Sequence, residues 1–144
     1  MADIENFVKE DLMTREYADA IIPDKILEFF ATDLAIRMGK AQKKGLLYRE
    51  QPFVYGIAAN KIKPEFPEYE KILIQGIIDA FFVEDDRIIL MDYKTDVINS
   101  EAELKERYKI QLDYYKAALE RGREIPVAQT YIYSFHFGSQ IDCN

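Results

Sequence analysis

Two apolar segments joined by a short acidic turn constrain the fold of this 144-residue chain more than any other feature. The segments YEKILIQGIIDAFFVE (residues 69–84) and RIILMDYKT (residues 87–95) are rich in the β-branched and aromatic residues that favour strands. The residues between them, Glu84-Asp85-Asp86-Arg87, are polar and suit a tight turn. The sequence therefore predicts a β-hairpin near the middle of the chain.

The segments upstream of the hairpin predict helices and one further strand. Apolar residues at three- and four-residue spacing predict one long helix over about residues 23–39, which begins at Pro23-Asp24 and ends at Gly39. Residues 3–20 predict one or two short amphipathic helices. The segment LLYREQPFVYGIA (residues 46–58) then predicts the first strand, which a Pro-containing loop separates from the hairpin.

The segments downstream of the hairpin predict a helix and a final pair of strands. Ser100 and Glu103 form a capping-box pattern that begins a helix over about residues 101–121, with Gly122 as its stop. VAQTYIYSFHF (127–137) predicts a fourth strand, and SQIDC (139–143) a short edge strand. The whole order predicts an α/β fold, in which helices flank a mixed central sheet of four to five strands (αβββαβ).

Composition limits the function classes. A chain of this length forms one domain, and 49% hydrophobic residues predict a packed core. The net charge of -7 argues against DNA binding through a uniformly basic surface. However, residues 36–63 carry seven basic side chains and one acid, Glu50, so a basic segment lies within an acidic protein. An ordinary solvated helix end and loop also explain these charges.

Several classes of protein are excluded by what the sequence lacks. Cys143 is the one cysteine, so we expect no disulfide framework, no Cys-based zinc or iron-sulfur site, and a reducing, cytoplasmic compartment. No apolar run approaches the ~20 residues of a membrane span, and the acidic start does not resemble a secretory signal. Gly39-Lys40 lacks the other residues of a phosphate-binding loop, so we expect no ATP hydrolysis by this chain itself.

Two aspartates and a lysine of the hairpin form the candidate chemical centre. Asp92 and Lys94 are two residues apart on a strand and point to one face. Asp79 interrupts an apolar run and lies about as far from the turn as Asp92, so the two carboxylates can face each other. Facing carboxylates can hold a divalent cation such as Mg²⁺, and the lysine can act on the attacking water. The alternative is a partly buried ion pair of Lys94 with Asp79 or Asp92 that holds the hairpin together.

The hairpin motif resembles the core of the PD-(D/E)xK nuclease superfamily: it consists of Asp79, twelve intervening residues, and then Asp92-Tyr93-Lys94. Ile78-Asp79 stands where the family often has Pro-Asp. The RecB-like branch of this superfamily is closely resembled by three further segments: GIIDAFF, IILMDYKTD, and QLDYYKAAL with its Gln111 and Tyr115. The resemblance implies that Asp79, Asp92 and the Tyr93 carbonyl ligate Mg²⁺ or Mn²⁺, that Lys94 positions the water, and that Gln111 and Tyr115 line the site. Taken alone, Gln111 and Tyr115 would be interpreted as a surface glutamine and a core tyrosine, and it is the rest of the pattern that favours the functional role.

Two further segments, REQPFVYGI upstream of the motif and YIYSFHFG downstream of it, resemble the nuclease domains of AddA-type proteins in AddAB (RexAB) helicase-nucleases. The resemblance covers the chain from about residue 23 onward. This resemblance implies a single nuclease domain over 1–144, with a helical part (1–40) and a catalytic core (46–144), as the C-terminal part of a longer protein. It further implies a Mg-dependent exonuclease for single-stranded DNA in double-strand break repair and recombination. It also implies a partner subunit of the AddB/RexB type and a bacterial, nucleoid-associated location. ATP would be used only by the helicase part, which this chain lacks.

Two residues depart from this pattern or remain open. Family members carry a metal-binding histidine on a helix before the first strand, whereas the one histidine here is His136, which we expect to be structural on the last strand. Glu50 is predicted to be a carboxylate within the active site or just behind it, with an ion pair to Arg49 or Lys44 as the alternative. The missing histidine also favours a second hypothesis, a catalytically inactive scaffold that binds DNA or docks a partner protein. A third hypothesis is a freestanding RecB-like nuclease of the CRISPR type, but such proteins usually carry an iron-sulfur cysteine cluster, which the single Cys143 cannot supply.

Overall fold

The computed structural model describes residues 23–144, which form helices on both faces of one sheet. In chain order the elements are α1 (Pro23–Phe30), α2 (Asp33–Lys43), β1 (Leu47–Ala58), a 3₁₀ turn (Ala59–Lys61), β2 (Lys71–Glu84), β3 (Arg87–Lys94), α3 (Glu101–Arg123), β4 (Val127–Ser134) and β5 (Ser139–Asp142). The predicted α/β fold with a mixed central sheet is confirmed. The short helices predicted within residues 3–20 lie outside the described residues. Within 23–144, no helix is long and apolar enough to span a membrane.

The five strands are arranged in the order β1-β2-β3-β4-β5. Neighbours are antiparallel except for β3 and β4, which are parallel and connected through α3. The β2–β3 hairpin is confirmed, because Glu84 pairs with Arg87 across a two-residue turn. Asp85 and Asp86 both adopt left-handed backbone angles (φ 52° and 59°), as a type I′ turn requires.

A separate apolar core covers each face of the sheet. On β3, alternate residues point to opposite faces, so Met91 and Tyr93 pack toward α1 and α2, while Leu90 packs toward α3. Phe29 is the centre of the first core, and its ring contacts the rings of Tyr93, Tyr133 and Phe135. Both faces of β3 are therefore covered, which fixes the strand that carries the candidate residues.

The long helix predicted over residues 23–39 is wrong in both extent and continuity. The chain breaks after Phe30, and Thr32 begins a new helix because its hydroxyl accepts a hydrogen bond from Ala35 N (3.1 Å). A threonine followed by aspartate is a helix-start signal, and here it overrides the continuous apolar spacing. Gly39 does not end α2, which continues to Lys43 and stops before Gly45 (φ 71°).

The downstream elements follow the prediction with shifted ends. The Ser100 cap is confirmed, since its hydroxyl accepts from Glu103 N (3.1 Å). However, Gly122 stays helical, and α3 ends at Arg123 because Glu124 adopts a left-handed conformation (φ 59°). Strand β4 ends at Ser134, three residues before the predicted end, so His136 lies in the turn between β4 and β5 rather than on a strand.

The sheet divides at one rung, and this division creates the candidate site. Strands β2 and β3 pair only as far as Ala80 and Met91, whereas β1 and β2 continue together as a two-stranded ribbon (residues 51–58 and 71–78, the β1–β2 ribbon). Asp79 and Asp92 are the next residues on β2 and β3, so they lie where the two strands separate. We call this place the fork.

Candidate active site

Asp79 closes the end of the β2–β3 ladder with its side chain. Its Oδ2 accepts a hydrogen bond from Tyr93 N at 2.9 Å, where a backbone carbonyl would otherwise continue the ladder. The faces of β2 also change here, because Ala80 packs in one core while Ile78 packs in the other. The carboxylate is therefore fixed at the fork by the backbone of the same strand that carries Asp92.

Asp92 is a buried carboxylate that is ion-paired with Lys94. It is 2% exposed, and its Oδ2 receives no hydrogen bond of good geometry, although Lys94 Nζ lies only 2.8 Å away. The pKa of Asp92 is raised to about 8, first by burial and then by the neighbouring Asp79 carboxylate, while the Lys94 charge opposes both effects. The protein thus holds two carboxyl groups together in a place that favours additional positive charge.

Lys94 is held from three sides. Its Nζ is 2.8 Å from Asp92 Oδ2, donates to Gln111 Oε1 at 3.2 Å, and lies 3.8 Å from the centre of the Tyr108 ring. The prediction that Asp92 and Lys94 share a face is confirmed by their contact. An ammonium group with this many contacts has little freedom to leave the fork.

Tyr108 and Asp96 form a support for Lys94 that the sequence analysis missed. The Tyr108 hydroxyl donates to Asp96 Oδ2 at 2.7 Å, and Arg107 Nη1 donates to the same oxygen at 3.1 Å. The hydrogen bond from Tyr108 lowers the pKa of Asp96, so this carboxylate stays charged and holds the ring. The signal was present in the sequence, because Tyr108 is one helical turn before Gln111 and so lies on the same face of α3.

Helix α3 brings both Gln111 and Tyr115 to the fork. Tyr115 is buried one turn after Gln111, and its ring meets the Phe53 ring edge to face at 5.1 Å. Burial raises the pKa of Tyr115 to about 12, with added contributions from the charges of Asp92 and Asp79. Its hydroxyl therefore remains protonated at neutral pH and can only serve as a neutral hydrogen-bonding group.

Two other candidate residues are not gathered at the fork as ligands. Glu50 lies on the rung of Asp79, between the pairs Arg49–Ala80 and Gln51–Ile78, but it is exposed and has a left-handed backbone (φ 49°). His136 lies in the β4–β5 turn, with its ring against Phe137. Within residues 23–144, no three His, Cys, Asp or Glu side chains form a cluster that could hold a metal ion.

The donor set at the fork nevertheless fits a hard divalent cation. It offers the two carboxylates, one with a buried oxygen that lacks a directed hydrogen bond. The Tyr93 carbonyl is on the same side as Tyr93 N, which faces Asp79, because both groups of one strand residue point the same way. Two carboxylates and a carbonyl suit Mg²⁺, which keeps several waters in its coordination shell.

Comparisons with known proteins show the family of the chain. Residues 5–139 match the family model of the PD-(D/E)XK nuclease superfamily. The chain is 42% identical to the A-type subunit of an ATP-dependent helicase/nuclease from Clostridium botulinum (strain Alaska E43 / Type E3) over 92% of its own length. It is 37% identical to the corresponding protein of Clostridium acetobutylicum and 35% identical to that of Clostridium novyi, over 96% of its length in each case. It spans only 11 or 12% of the length of these relatives.

Proposed function

This chain belongs to the PD-(D/E)XK nuclease superfamily, and we propose that it is a metal-dependent deoxyribonuclease domain that hydrolyses phosphodiester bonds of single-stranded DNA. The observation that carries the proposal is the fork, where Asp79, Asp92 and Lys94 meet at the end of a hydrogen-bonded ladder. A purely structural ion pair would need only one carboxylate. The second carboxylate, Asp79, places a like charge beside the buried Asp92, which is costly to keep and is accounted for by a cation that function requires.

Asp79, Asp92 and the Tyr93 carbonyl would hold Mg²⁺ or Mn²⁺. A divalent cation bound there would polarise the scissile phosphate and lower the pKa of a bound water. The chain itself supplies fixed positions for these oxygens, since Asp79 is held by Tyr93 N and Asp92 is enclosed by the core beneath α3. Such preorganisation means that little reorganisation is needed when charge develops on the phosphate.

Lys94 is proposed to orient the attacking water and to stabilise the negative charge on the reacting phosphate. Its ammonium can do so because contacts with Gln111 and the Tyr108 ring, in addition to Asp92, fix its position. Gln111 is half-buried, so its amide can also reach substrate, and the protonated Tyr115 hydroxyl closes the site behind it. Glu50, exposed on the same rung, would lie beside the site and would not act as a third carboxylate of a preformed cluster.

The names of the relatives suggest a larger setting for this chemistry. Because those names describe one subunit of an ATP-dependent helicase/nuclease, we propose that residues 1–144 correspond to the nuclease domain of such a protein, with 46–144 as the catalytic core. The helicase part would consume ATP and supply single strands to an exonuclease during double-strand break repair. A second subunit of the AddB/RexB type would be the protein partner. A motor that delivers the strand explains how a domain with net charge -7 can act on DNA.

The proposal is tested with an end-labelled single-stranded oligonucleotide incubated with the purified chain and Mg²⁺ or Mn²⁺. We expect cleavage that stops with EDTA and in Lys94→Ala, while Asp113→Asn, an exposed change on α3, keeps wild-type activity. Cleavage that persists in Lys94→Ala would contradict the assigned role of the lysine.

A second candidate function is an inactive nuclease-fold scaffold that binds DNA or docks a partner protein. The observation that favours it is the absence of a third metal-binding side chain at the fork within the described residues. Under this hypothesis the wild-type chain binds DNA but does not cut it in Mg²⁺ or Mn²⁺, and Asp92→Asn binds DNA equally well. The cleavage assay therefore separates the two functions directly.

A further inference from the structure

An open groove runs beside the fork, between α3 and the β1–β2 ribbon. It has a volume of about 320 Å³ and is lined mainly by aromatic and apolar side chains, with two glutamine amides at its edges. Phe53 and Gly76 lie on the ribbon side, and Ile110, Gln111 and Tyr114 lie on the α3 side. None of the roles assigned above uses Phe53, Ile110 or Tyr114.

The groove is continuous with the candidate active site. Gln111, which forms part of its wall, accepts the hydrogen bond from Lys94, and Tyr115, which also lines it, interacts electrostatically with Asp79 and Asp92. A molecule in the groove would therefore contact the same glutamine that holds Lys94. Whatever occupies the groove lies next to the reacting phosphate of the proposed reaction.

The walls of the groove have the shape and chemistry of a platform for a flat ring. Phe53 lies directly over Gly76, since a Cβ built on that glycine would be 2.8 Å from Phe53 Cε1. On the opposite wall, Ile110 is 68% exposed and Tyr114 is half-buried. Phe53 and Tyr114 are partly exposed aromatic rings, and such rings stack nucleic-acid bases of any sequence.

Charge on the same flank of α3 complements a phosphate backbone. Arg107, Tyr114 and Arg121 follow at seven-residue spacing, so they lie on one side of the helix over about 21 Å. The Arg121 guanidinium lies 5.7 Å from the centre of the Tyr55 ring, at the end of the groove away from Arg107. Arg107 is paired with Asp96 (3.1 Å) and Glu103 (3.9 Å), so of these two cations Arg121 is the one that complements a phosphate beside the aromatic groove.

We propose that this groove binds an unpaired base of single-stranded DNA, next to the phosphate that is cut, by stacking it between Phe53 and Tyr114. The inference rests on the proposed nuclease function for the position of the scissile phosphate, but not for binding itself. It would account for the single-stranded substrate proposed above, because a base paired within a duplex cannot enter the groove.

The test is fluorescence anisotropy with a labelled dT oligonucleotide of about ten nucleotides, in Ca²⁺, with the strand checked on a gel for integrity. Tyr114→Ala should raise the Kd about tenfold, and Tyr114→Phe, which keeps the ring, should bind like the wild type. Tyr69→Ala is the matched control, because Tyr69 is an exposed tyrosine that does not line the groove. On an abasic oligonucleotide of the same length, the wild type and Tyr114→Ala should bind equally.

The outcomes distinguish the groove from the nuclease proposal. If Tyr114→Ala binds dT as tightly as the wild type, or loses the same affinity for the abasic strand, base stacking in the groove is refuted even if the protein cuts DNA. If the base-dependent loss is found but the wild type cuts no strand, the groove is supported and the nuclease proposal fails. Circular dichroism of each variant shows whether the fold is retained, and Phe53→Leu provides a second change on the opposite wall with the same expected base-dependent loss.

Discussion

Replacing Asp92 by asparagine should stabilise the metal-free protein at neutral pH while it abolishes cleavage. The pKa of Asp92 is raised by burial from 3.8 to about 8, so at pH 7 the folded protein takes up a proton that the unfolded chain lacks. Three pKa units at about 1.36 kcal/mol each correspond to a cost of up to about 4 kcal/mol. Asparagine has nearly the same shape and no charge, and therefore avoids this cost.

The pH dependence of this effect has a definite sign. Because the folded pKa is raised, the stability that protonated Asp92 contributes is complete below pH 3.8 and is lost as the pH rises toward about 8. The asparagine variant lacks this loss. The difference in unfolding free energy between the variant and the wild type should therefore grow steadily with pH across that window.

Urea denaturation in EDTA at several pH values measures the difference. Asp113→Asn is the control, and its unfolding free energy should stay within about 0.5 kcal/mol of the wild type. If Asp92 instead serves mainly as the structural counter-ion of Lys94, its replacement leaves a buried cation and should cost about 3–5 kcal/mol. A less stable Asp92→Asn at pH 7 would refute the reasoning.

Three further changes test the support, the groove and the fold. Tyr108→Leu should lower kcat for DNA cleavage about tenfold or more with KM little changed, because the ring that contacts Lys94 is lost. Tyr108→Phe keeps the ring and should keep most of the activity. Equal kcat values for Tyr108→Leu and the wild type in steady-state assays would contradict this role. Gly76→Ala should lower the unfolding free energy by about 1–3 kcal/mol in urea, since its Cβ collides with Phe53, and an unchanged value would show that the ring moves freely. Thr32→Ala should cost about 1 kcal/mol in thermal unfolding through loss of the α2 cap, while an unchanged Tm would mean that packing alone sets the break before α2.

The hairpin and the sheet could be predicted from the sequence because their signals are local. The acidic turn at Glu84–Arg87 fixes the register of β2 and β3, and that register puts Asp79 and Asp92 together at the fork. The break between α1 and α2 could also have been read from Thr32-Asp33. However, both helices bury their apolar residues in the same core. The apolar spacing therefore continues across the break, and it predicted one helix.

Tertiary contacts explain what the sequence analysis missed at the site. Tyr108 and Asp96 are twelve residues apart, and only the docking of α3 on the sheet brings the hydroxyl to the carboxylate. The position of Glu50 was similarly hidden, because a left-handed residue within a strand follows no sequence periodicity. Within the basic segment, Arg37 is paired with Glu84 at the end of β2 (2.7 Å), whereas the five lysines of the segment are exposed.

Cleavage of end-labelled single-stranded DNA by the wild type and by Asp92→Asn, with and without Mg²⁺ or Mn²⁺, tests the central claim most directly. We predict that the wild type shortens the strand only when a divalent cation is present, and that the folded Asp92→Asn variant leaves it intact. An intact strand with folded wild-type protein in both metals, or equal cleavage by the variant, would contradict the claim that the fork is a metal-dependent nuclease site.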